Sequence, residues 1–360
     1  MSISRKDLKN ATLRAIAIKR TSTSAAVLAP TETPAEAAEQ IGLRPRALDE
    51  YVGQAKIKEH LRIHIAAARS RGEPMGHTLL HGPPGLGKTT LAHIVAHEMG
   101  SQLKVTSGPA IEKPGDVASL LTNLSAGDVL FIDEIHRLRP VVEEVLYGAM
   151  EDNVLDIVIG KGPTARSVRL TIKPFTLVGA TTKAGAMSAP LRDRFMHAFK
   201  LGFYELGEME KIVTRSAAIL GVPMDAGSSA TIAAASRATP RIANRLVRAV
   251  RDFAHSRNES AVNDACVRET LLSLDIDPEG LDATDRALLS TIVDSFNGGP
   301  VGLSTLAAML AEEEETIEGM YEPYLMQQGY LQRTAKGRSA TKRAYEKLGK
   351  RMPDGQQPLL

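Results

Sequence analysis

The sequence has little cysteine, no long apolar run and almost no net charge. Cys266 is the only cysteine among 360 residues, which excludes a disulfide framework and a cysteine-based zinc site. No apolar run approaches the roughly 20 residues that a membrane span needs, so we expect no membrane role and a cytoplasmic location. The net charge of +2 means that contacts with nucleic acid must come from local basic patches rather than from the field of the whole chain.

The first forty residues also lack the apolar core of a secretory signal. They are rich in Ala, Ser and Thr, and the first twenty carry six basic side chains against one acidic side chain. We predict that residues 1–40 form a disordered extension. The same composition can mimic an organelle transit peptide, which stays open as the alternative. Residues 351–360 are predicted to be a flexible tail.

One glycine-rich segment carries the strongest functional signal. The sequence GPPGLGKT at residues 82–89 fits the pattern G-x-x-x-x-G-K-[ST], and it lies between a short apolar run and a helical pattern. Glycines such as Gly85 and Gly87 let the backbone curl, so that successive N–H groups and the helix N-terminus face phosphate groups. Lys88 is then expected to reach the β- and γ-phosphates of ATP, and the Thr89 hydroxyl to bind Mg²⁺.

Two acidic residues follow an apolar run that predicts a second buried strand. Asp133 and Glu134 lie near the end of the segment GDVLFIDEIH, which is typical of a Walker B strand. At the carboxyl end of such a strand, Asp133 is expected to hold Mg²⁺ through water and Glu134 to orient the attacking water. A later strand, over 175–181, ends in Thr181 and Thr182, and either hydroxyl could sense the γ-phosphate.

Two arginines follow that strand, after a turn that begins with proline. Arg192 or Arg194 could serve as an arginine finger, because a guanidinium presents a planar fork of donors to phosphate oxygens. Two β-rich runs, over 155–159 and 167–172, predict a hairpin. The hairpin interrupts the alternation of strands and helices, which makes it a candidate contact surface.

Two pairs of histidines have the spacing of metal ligands on a helix. They are His60 with His64, and His93 with His97. A zinc protease needs the pattern H-E-x-x-H, and neither pair has the glutamate. We therefore do not expect metal at either pair.

Beyond the α/β core, the sequence predicts helices without strands and then a mixed unit. We predict a P-loop ATPase core over 41–204, with a parallel sheet flanked by helices, and a small α-helical domain over 205–276. Residues 277–350 combine three helical patterns with a short β wing, which is typical of a winged-helix domain. Basic residues of the wing, Arg333 and Arg338, suit contact with phosphate.

One helix of the small domain begins with a recognisable start signal. Pro240 is expected at its first position and Thr239 as its cap. Arg241 lies on the first turn of this helix, from which it could point back at the nucleotide.

These motifs, in this order, resemble the RuvB family of AAA+ ATPases. The resemblance covers about residues 41–349 and rests on the segments GPPGLGKTTLA, TNLSAGDVLFIDEIHRL, FTLVGATT, LRDRF, TPRIANRL and EPYLMQQGYLQRT. It implies a homohexameric ring that hydrolyses ATP to pull duplex DNA, which drives branch migration of Holliday junctions in recombination and repair. It also implies a RuvA-like junction-binding partner on the hairpin over 155–172, and a RuvC-like resolvase as a further partner.

The resemblance also implies roles for individual residues. Around the nucleotide it places Leu43, Arg44 and Tyr204 on the adenine side, Gly85, Gly87, Lys88, Thr89 and Thr90 on the phosphates, and Glu151, Asp152 and Asn153 in a further binding segment. Arg194 matches the arginine finger that reaches a neighbouring subunit's ATP, and Arg241 matches the second sensor. Arg333 and Arg338 match contacts with the DNA backbone.

Several positions depart from the family pattern. Glu314 stands where an arginine that contacts DNA is usual, and a carboxylate there would repel phosphate. Asn153 replaces a usual aromatic residue, Met196 a usual glycine and Gly148 a usual proline. The N-terminal extension is also longer than the family pattern.

Two other functions are compatible with parts of the sequence. An AAA+ nucleotide switch could assemble on DNA without translocation, and a protein-remodelling ATPase would act on protein instead. Intact Glu134 and Arg194 favour hydrolysis over the switch, and the basic wing favours DNA over a protein substrate.

Overall fold

The computed structural model describes residues 27–28, 42–159, 166–259 and 261–353. The chain divides into two compact units, one over Gln40–Tyr204 and the other over Glu205–Leu360 together with Met1–Glu39. Most of the predicted N-terminal extension, most of the predicted tail and the tip of the predicted hairpin lie outside the described residues. Among the described helices, none is both long enough and apolar enough to cross a membrane.

The first unit is an α/β layered fold, as predicted. Its strands are β1 (Thr78–His81), β2 (Leu103–Ser107), β3 (Val129–Asp133), β4 (Val154–Ile159), β5 (Arg166–Thr171), β6 (Thr176–Thr181) and β7 (His197–Lys200). Its helices are α1 (Ala55–Arg71), α2 (Lys88–Met99), α3 (Pro114–Thr122), α4 (Pro140–Glu151) and α5 (Ala189–Asp193). Five of the strands form one sheet in the order β2-β3-β6-β1-β7, and every neighbouring pair is parallel.

The central strands of this sheet are buried because their sequences are continuously apolar. Residues 129–132 of β3 and all six residues of β6 are inaccessible to solvent, which is typical of parallel strands covered on both faces. Since the strands are parallel, their carboxyl ends meet at one edge of the sheet. His81, Asp133 and Thr181, the last residues of β1, β3 and β6, therefore lie along the same edge.

The predicted hairpin is present as an antiparallel pair. β4 pairs with β5 from Val154 opposite Thr171 to Ile159 opposite Arg166.

Helix α3 was not predicted, although Val117, Ala118 and Leu121 share its buried face. Its capping box uses Asp116, whose carboxylate accepts from the Lys113 backbone N–H.

The second unit begins with the predicted helical domain. Its helices are α6 (Leu206–Ile219), α7 (Ala226–Ala235), α8 (Pro240–Ser256) and α9 (Asp264–Ser273). The helical pattern over residues 227–238 predicts a longer α7 than the structure has. The helix ends at Ala235 because Arg237 and Ala238 take left-handed backbone conformations, with φ of 53° and 52°.

The remainder of the second unit is the predicted winged helix. It contains α10 (Ala283–Ser290), α11 (Leu303–Leu310), α12 (Glu314–Thr316) and α13 (Glu322–Gln327), then the wing strands β8 (Leu331–Thr334) and β9 (Gly337–Ala340), then α14 (Lys342–Lys347). β8 and β9 are antiparallel. Buried aliphatic and tyrosine side chains, among them Leu288, Leu306 and Tyr330, form the core of this domain.

Two residues of the predicted extension, Val27 and Leu28, are described within the second unit. Leu28 is only 2% exposed. The carbonyl of Val27 accepts a hydrogen bond of 3.2 Å from Nη1 of Arg245, on α8. At these two residues the chain is packed, whereas the sequence predicted disorder.

Candidate active site

The glycine-rich loop between β1 and α2 has the backbone shape that the sequence predicted. Gly82, Gly85 and Gly87 have φ of 141°, 78° and 98°, which favour glycine. A Cβ at Gly82 would lie 2.5 Å from the carbonyl oxygen of Leu201. Helix α2 begins at Lys88, so its N-terminus directly follows the loop. The ammonium group of Lys88 donates to the carbonyls of Gly82 and Pro83, both at 2.8 Å.

Two tyrosine side chains are hydrogen-bonded to this loop at Leu86. The hydroxyls of Tyr51 and Tyr204 lie 2.8 Å apart, and both donate to the carbonyl of Leu86, at 3.2 and 3.0 Å. A Cβ at Gly87 would lie 2.7 Å from the Tyr51 hydroxyl, so this glycine is required by the close approach as well as by its φ. Tyr204 was predicted on the adenine side of the nucleotide. In the structure its hydroxyl is hydrogen-bonded to the loop at Leu86. Tyr51 was missed by sequence reasoning.

The predicted adenine-side segment packs near the same helix. Leu43 is buried, and Nη1 of Arg44 lies 3.1 Å from Nε2 of His93 on α2. Burial and the charge of Arg44 lower the pKa of His93, which favours its neutral form.

The Walker B acids lie where β3 ends. Glu134 has a left-handed φ of 47°, and its backbone N–H donates to Oδ1 of Asp133 at 2.9 Å. The Glu134 carboxylate accepts from Nη1 of Arg137 at 3.1 Å, with side chains 45% and 59% exposed. Arg137 was missed by sequence reasoning, although it lies three residues after Glu134. The Glu134 carboxylate, which is predicted to orient the attacking water, is therefore accessible to solvent but hydrogen-bonded to Arg137.

The end of β6 connects the loop to the Walker B strand. The N–H of Gly82 donates to the carbonyl of Thr181 at 3.2 Å. The Thr181 hydroxyl lies 2.9 Å from Nδ1 of His136 and accepts from the backbone N–H of Lys183 at 3.0 Å. Burial, the largest effect, lowers the pKa of His136, which favours a neutral ring at this contact. Thr181 is buried while Thr182 is exposed, so the two candidate sensors occupy different environments.

The predicted arginine finger lies beside the predicted binding segment. Nη2 of Arg194 is 3.2 Å from the Glu151 carboxylate, and Nη1 donates to the carbonyl of Pro190 at 2.7 Å. The guanidinium carbon lies 4.3 Å from the centre of the Tyr147 ring. Asp152 is exposed, and Asn153 has a φ of 55°, a conformation that asparagine tolerates. The contact brings Arg194 and Glu151 together.

Comparison with known proteins identifies the family. Three family models match consecutive parts of the chain: the Holliday junction DNA helicase RuvB P-loop domain over residues 43–201, the RuvB AAA lid domain over 204–277, and the RuvB C-terminal winged helix domain over 278–349. The chain belongs to the RuvB family. It is therefore a P-loop AAA+ ATPase, and the loop described above binds nucleotide.

Several relatives of the RuvB family are similar over most of the chain. The Holliday junction branch migration complex subunit RuvB of Chloroflexus aggregans is 57% identical over 317 residues, which cover 88% of this chain and 91% of the relative. The subunit of the same name from Chloroflexus aurantiacus is 58% identical over 312 residues, covering 87% and 89%. The structure of the Thermotoga maritima RuvB Holliday junction branch migration motor is 47% identical, with a TM-score of 0.78, covering 87% of this chain and 100% of that one.

In this RuvB-family chain, the donors near the loop suit Mg²⁺ better than a transition metal. Mg²⁺ is usually held by one or two carboxylates together with substrate phosphates, and Thr89 and Asp133 supply a hydroxyl and a carboxylate of that kind. Within the described residues, no cluster of three or more histidine, cysteine or acidic side chains could hold a metal ion. The rings of His60 and His64 meet edge to face with centres 6.5 Å apart.

The second predicted sensor of this RuvB-family chain lies on α8 of the second unit. Pro240 opens α8 and Thr239 occupies its cap position, as predicted. The Thr239 side chain makes no capping bond, because its hydroxyl donates to the carbonyl of Arg237 at 2.9 Å. Arg241 follows on the first turn.

The two predicted DNA-contacting arginines of the wing have opposite environments. Arg333 is 51% exposed and lies 3.1 Å from the Glu318 carboxylate. Arg338 is buried and donates to both carboxylate oxygens of Glu322, which is also buried. Contact of Arg338 with phosphate would require this buried pair to open, which counts against a direct contact. Glu314 is exposed at the start of α12.

Proposed function

We propose that this chain is an ATP-driven motor that pulls duplex DNA and thereby drives branch migration of Holliday junctions. The names of the curated relatives and of the Thermotoga maritima structure support this activity. The observation that carries it is the hydrogen bond between Gly82 and Thr181, which fixes the phosphate-binding loop beside the end of β6. Asp133 ends β3, the next strand in the sheet, and Glu134 follows it. Arg194 is available for a neighbouring site.

The chemistry requires positioning and charge stabilisation rather than covalent catalysis. Lys88, now on the carbonyls of Gly82 and Pro83, would exchange these oxygens for phosphate oxygens of ATP. Mg²⁺ bound by Thr89, and through water by Asp133, would neutralise charge on the phosphates. Glu134 would leave Arg137 to accept a hydrogen bond from the attacking water.

Arg194 is proposed to act on the ATP of a neighbouring subunit in a homohexameric ring. Such a finger is worth about 10³–10⁵ in rate, so an isolated subunit should hydrolyse ATP very slowly. Its present partner, Glu151, is 55% exposed, and exposed ion pairs are weak. The guanidinium can therefore exchange that carboxylate for phosphate oxygens at small cost. Arg241 is proposed as the second sensor of the γ-phosphate.

We propose that the winged helix contacts the DNA backbone, with Arg333 as the exposed basic residue of the wing. Contacts with phosphate carry no sequence information and weaken steeply with salt. Binding to duplex DNA is therefore expected to tolerate any sequence and to fall strongly between about 50 and 200 mM salt. Salt-insensitive binding, or no binding, would favour a protein-remodelling ATPase.

The β4–β5 hairpin is the proposed docking surface for a RuvA-like partner. Val168 and Leu170 are exposed on β5, and residues two apart on a strand share one face. Arg169, between them, pairs with Asp156. Replacing Leu170 by aspartate should abolish stimulation by the partner and leave basal ATP turnover unchanged. Arg169→Ala is the control on the opposite face. Equal stimulation of both variants would contradict this surface.

The experiment that separates the motor from a nucleotide switch uses a synthetic four-way DNA junction. Wild-type protein with the partner and ATP should convert the junction to duplex products. Glu134→Gln should bind ATP and DNA but convert none of the junction. Full conversion by Glu134→Gln would favour the AAA+ switch, in which hydrolysis is not needed.

A further inference from the structure

We propose that Tyr147 is a positioning residue for the arginine finger, held in place by Glu143 and Ser188. Its ring is the surface against which the guanidinium of Arg194 is aligned. This inference rests on the proposed role of Arg194. It assigns a function to residues outside the motifs that identify the family.

Arg194 packs against the ring of Tyr147. Its guanidinium lies over the Tyr147 ring, with 4.3 Å between the guanidinium carbon and the ring centre. Nη1 and Nη2 are bonded to Pro190 and Glu151. Among the described residues, the buried Nε has no hydrogen-bond partner. The Tyr147 ring therefore adds a contact with the guanidinium beside these two hydrogen bonds, since a guanidinium and an aromatic ring attract each other.

Hydrogen bonds with Glu143 and Ser188 fix the position of the Tyr147 ring. The Tyr147 hydroxyl donates to Oε2 of Glu143 at 3.0 Å and lies 3.3 Å from the Ser188 hydroxyl. The Ser188 hydroxyl donates to the same Glu143 oxygen. Glu143 is 5% exposed, so breaking these bonds would leave a buried carboxylate with fewer partners, which is costly.

The network also reaches the base of the finger. Ser188 caps α5 by accepting from the backbone N–H of Leu191 at 3.3 Å. Arg194 follows the last residue of α5. The Ser188 hydroxyl thus contacts both the start of α5, the helix that ends just before Arg194, and the tyrosine whose ring contacts the Arg194 guanidinium.

The sequence spacing explains why one helix can do this. Glu143, Tyr147 and Glu151 are spaced four residues apart on α4, and residues at this spacing lie on one face of a helix. Along this face, Glu143 contacts Ser188. Tyr147 and Glu151 both contact the Arg194 guanidinium, Tyr147 through its ring and Glu151 at Nη2. A catalytic group must be held within about 0.5 Å of its productive position, and a rigid helix face meets that need better than a loop.

The physical consequence is specific to the subunit that donates the finger. Removing the ring should lower the turnover number and leave the KM for ATP unchanged, because the ATP site of the altered subunit is intact. Loss of such a contact from a partly buried arginine is expected to lower turnover about tenfold, which corresponds to about 1.4 kcal/mol. Tyr147→Phe keeps the ring and loses only the hydroxyl, so its turnover should fall less.

The test mixes full-length variants and measures ATP turnover. Arg194→Ala has an intact water-orienting Glu134 but no finger, and Glu134→Gln has a finger but no turnover of its own. Mixing the two should restore activity. A donor that combines Glu134→Gln with Tyr147→Leu should restore about tenfold less. The matched control donor combines Glu134→Gln with Val141→Ala, an exposed residue of the same helix, and should restore as much as Glu134→Gln alone.

The outcomes separate this inference from the proposed function. If Glu134→Gln itself fails to restore Arg194→Ala, the finger does not act between subunits, and the proposed function is contradicted. If Glu134→Gln restores activity and the Tyr147→Leu donor restores as much, the positioning role is contradicted. Thermal unfolding checks that the donor is folded. Tyr147→Met, which keeps an unbranched apolar side chain, replaces Tyr147→Leu in the same test if the leucine variant does not fold.

Discussion

The ion pairs of the proposed catalytic residues in the first unit are more exposed than two ion pairs of the second unit. In the first unit, the proposed catalytic side chains rest on contacts open to solvent: Glu134 on Arg137, and Arg194 on Glu151. In the second unit, Arg237 and Arg338 are paired in the interior with Asp285 and Glu322. Exposed pairs contribute little to stability, whereas breaking a buried pair is strongly destabilising.

The difference follows from what each unit has to do. A residue that binds substrate must exchange its partner for a phosphate oxygen or a water molecule, so a weak local partner is an advantage. The buried pairs of the second unit join segments that are distant in sequence. Arg237 donates to the carbonyl of Gly280 at 2.8 Å and to Asp285, and its guanidinium lies over the Tyr324 ring. It thereby joins the segment before α8 to the winged helix.

A large effect on ATP turnover is expected at the exposed pair of Glu134 and Arg137. Glu134→Gln removes the carboxylate that orients water, and such groups contribute about 10²–10⁴ in rate. Turnover should fall by that factor, while ATP affinity and the free energy of unfolding stay close to wild type. A fall of less than tenfold in ATP turnover would show that Glu134 is not the water-orienting residue.

The next effect is on the free energy of unfolding and concerns the buried pair of Arg237 and Asp285. Arg237→Met leaves Asp285 buried without its cation, so the second unit should lose about 3–5 kcal/mol of unfolding free energy. Pulse proteolysis in urea, with peptides from residues 205–353 identified by mass spectrometry, measures this loss.

The matched control is Arg333→Met, which breaks the exposed pair with Glu318 and should cost at most about 1 kcal/mol. Adding Asp285→Leu to Arg237→Met should recover part of the loss, because the buried carboxylate nearest to Arg237 is then removed as well, while the buried Asp282, 3.9 Å from Arg237, remains. Equal losses for Arg237→Met and Arg333→Met would contradict the contrast.

A smaller effect is expected when the pH falls. Eight of the nine histidines lie in the first unit, and burial is the main cause that lowers the pKa of six of them, namely His64, His77, His81, His93, His136 and His197. The unfolded chain then binds more protons than the folded unit. The stabilising contribution is present above the unfolded pKa of about 6.5 and is lost as the pH falls below it.

The second unit should respond in the opposite direction. Burial raises the pKa of Asp285 to about 7, although Arg237 opposes the rise, so its contribution is lost as the pH increases. Urea unfolding of each unit at about pH 7.5 and about pH 6.0, on either side of the histidine pKa, measures both trends. A first unit that is equally stable at the two values would contradict this assignment.

The smallest effect concerns Arg137. Arg137→Ala removes an exposed ion pair, so the free energy of unfolding should change by at most about 1 kcal/mol. Lys104→Ala, on an exposed residue of β2, is the control for loss of a surface charge. A loss of several kcal/mol on removing Arg137 would show that its contact with Glu134 is structural.

The sequence predicted the parts of the site that are local in the chain. The loop over 82–89 and the acids at the end of β3 each form a continuous pattern tied to one backbone geometry. The alternation of strands and helices likewise predicted the parallel sheet, because each apolar run is long enough for one buried strand. The fold confirms the conformation of the loop, the place of the two acids and the parallel sheet, whereas the roles of these side chains stay predictions.

Contacts between distant residues could not be predicted in this way. Tyr51 and Tyr204 are far apart in sequence and meet at Leu86 only when the sheet is assembled. The end of α7 coincides with left-handed backbone at Arg237, whose side chain contacts Gly280 and Asp285 of the winged helix. The burial of Arg338 depends on Glu322, and a basic pattern in a wing does not distinguish a buried ion pair from an exposed contact.

The most direct test of the account measures ATP hydrolysis by the full-length protein with and without duplex DNA, beside Arg194→Ala. The account predicts that DNA stimulates the wild-type protein, that Arg194→Ala loses turnover by about 10³–10⁵, and that mixing it with Glu134→Gln restores turnover. Hydrolysis that is indifferent to DNA, or an Arg194→Ala variant as active as wild type, would contradict the account.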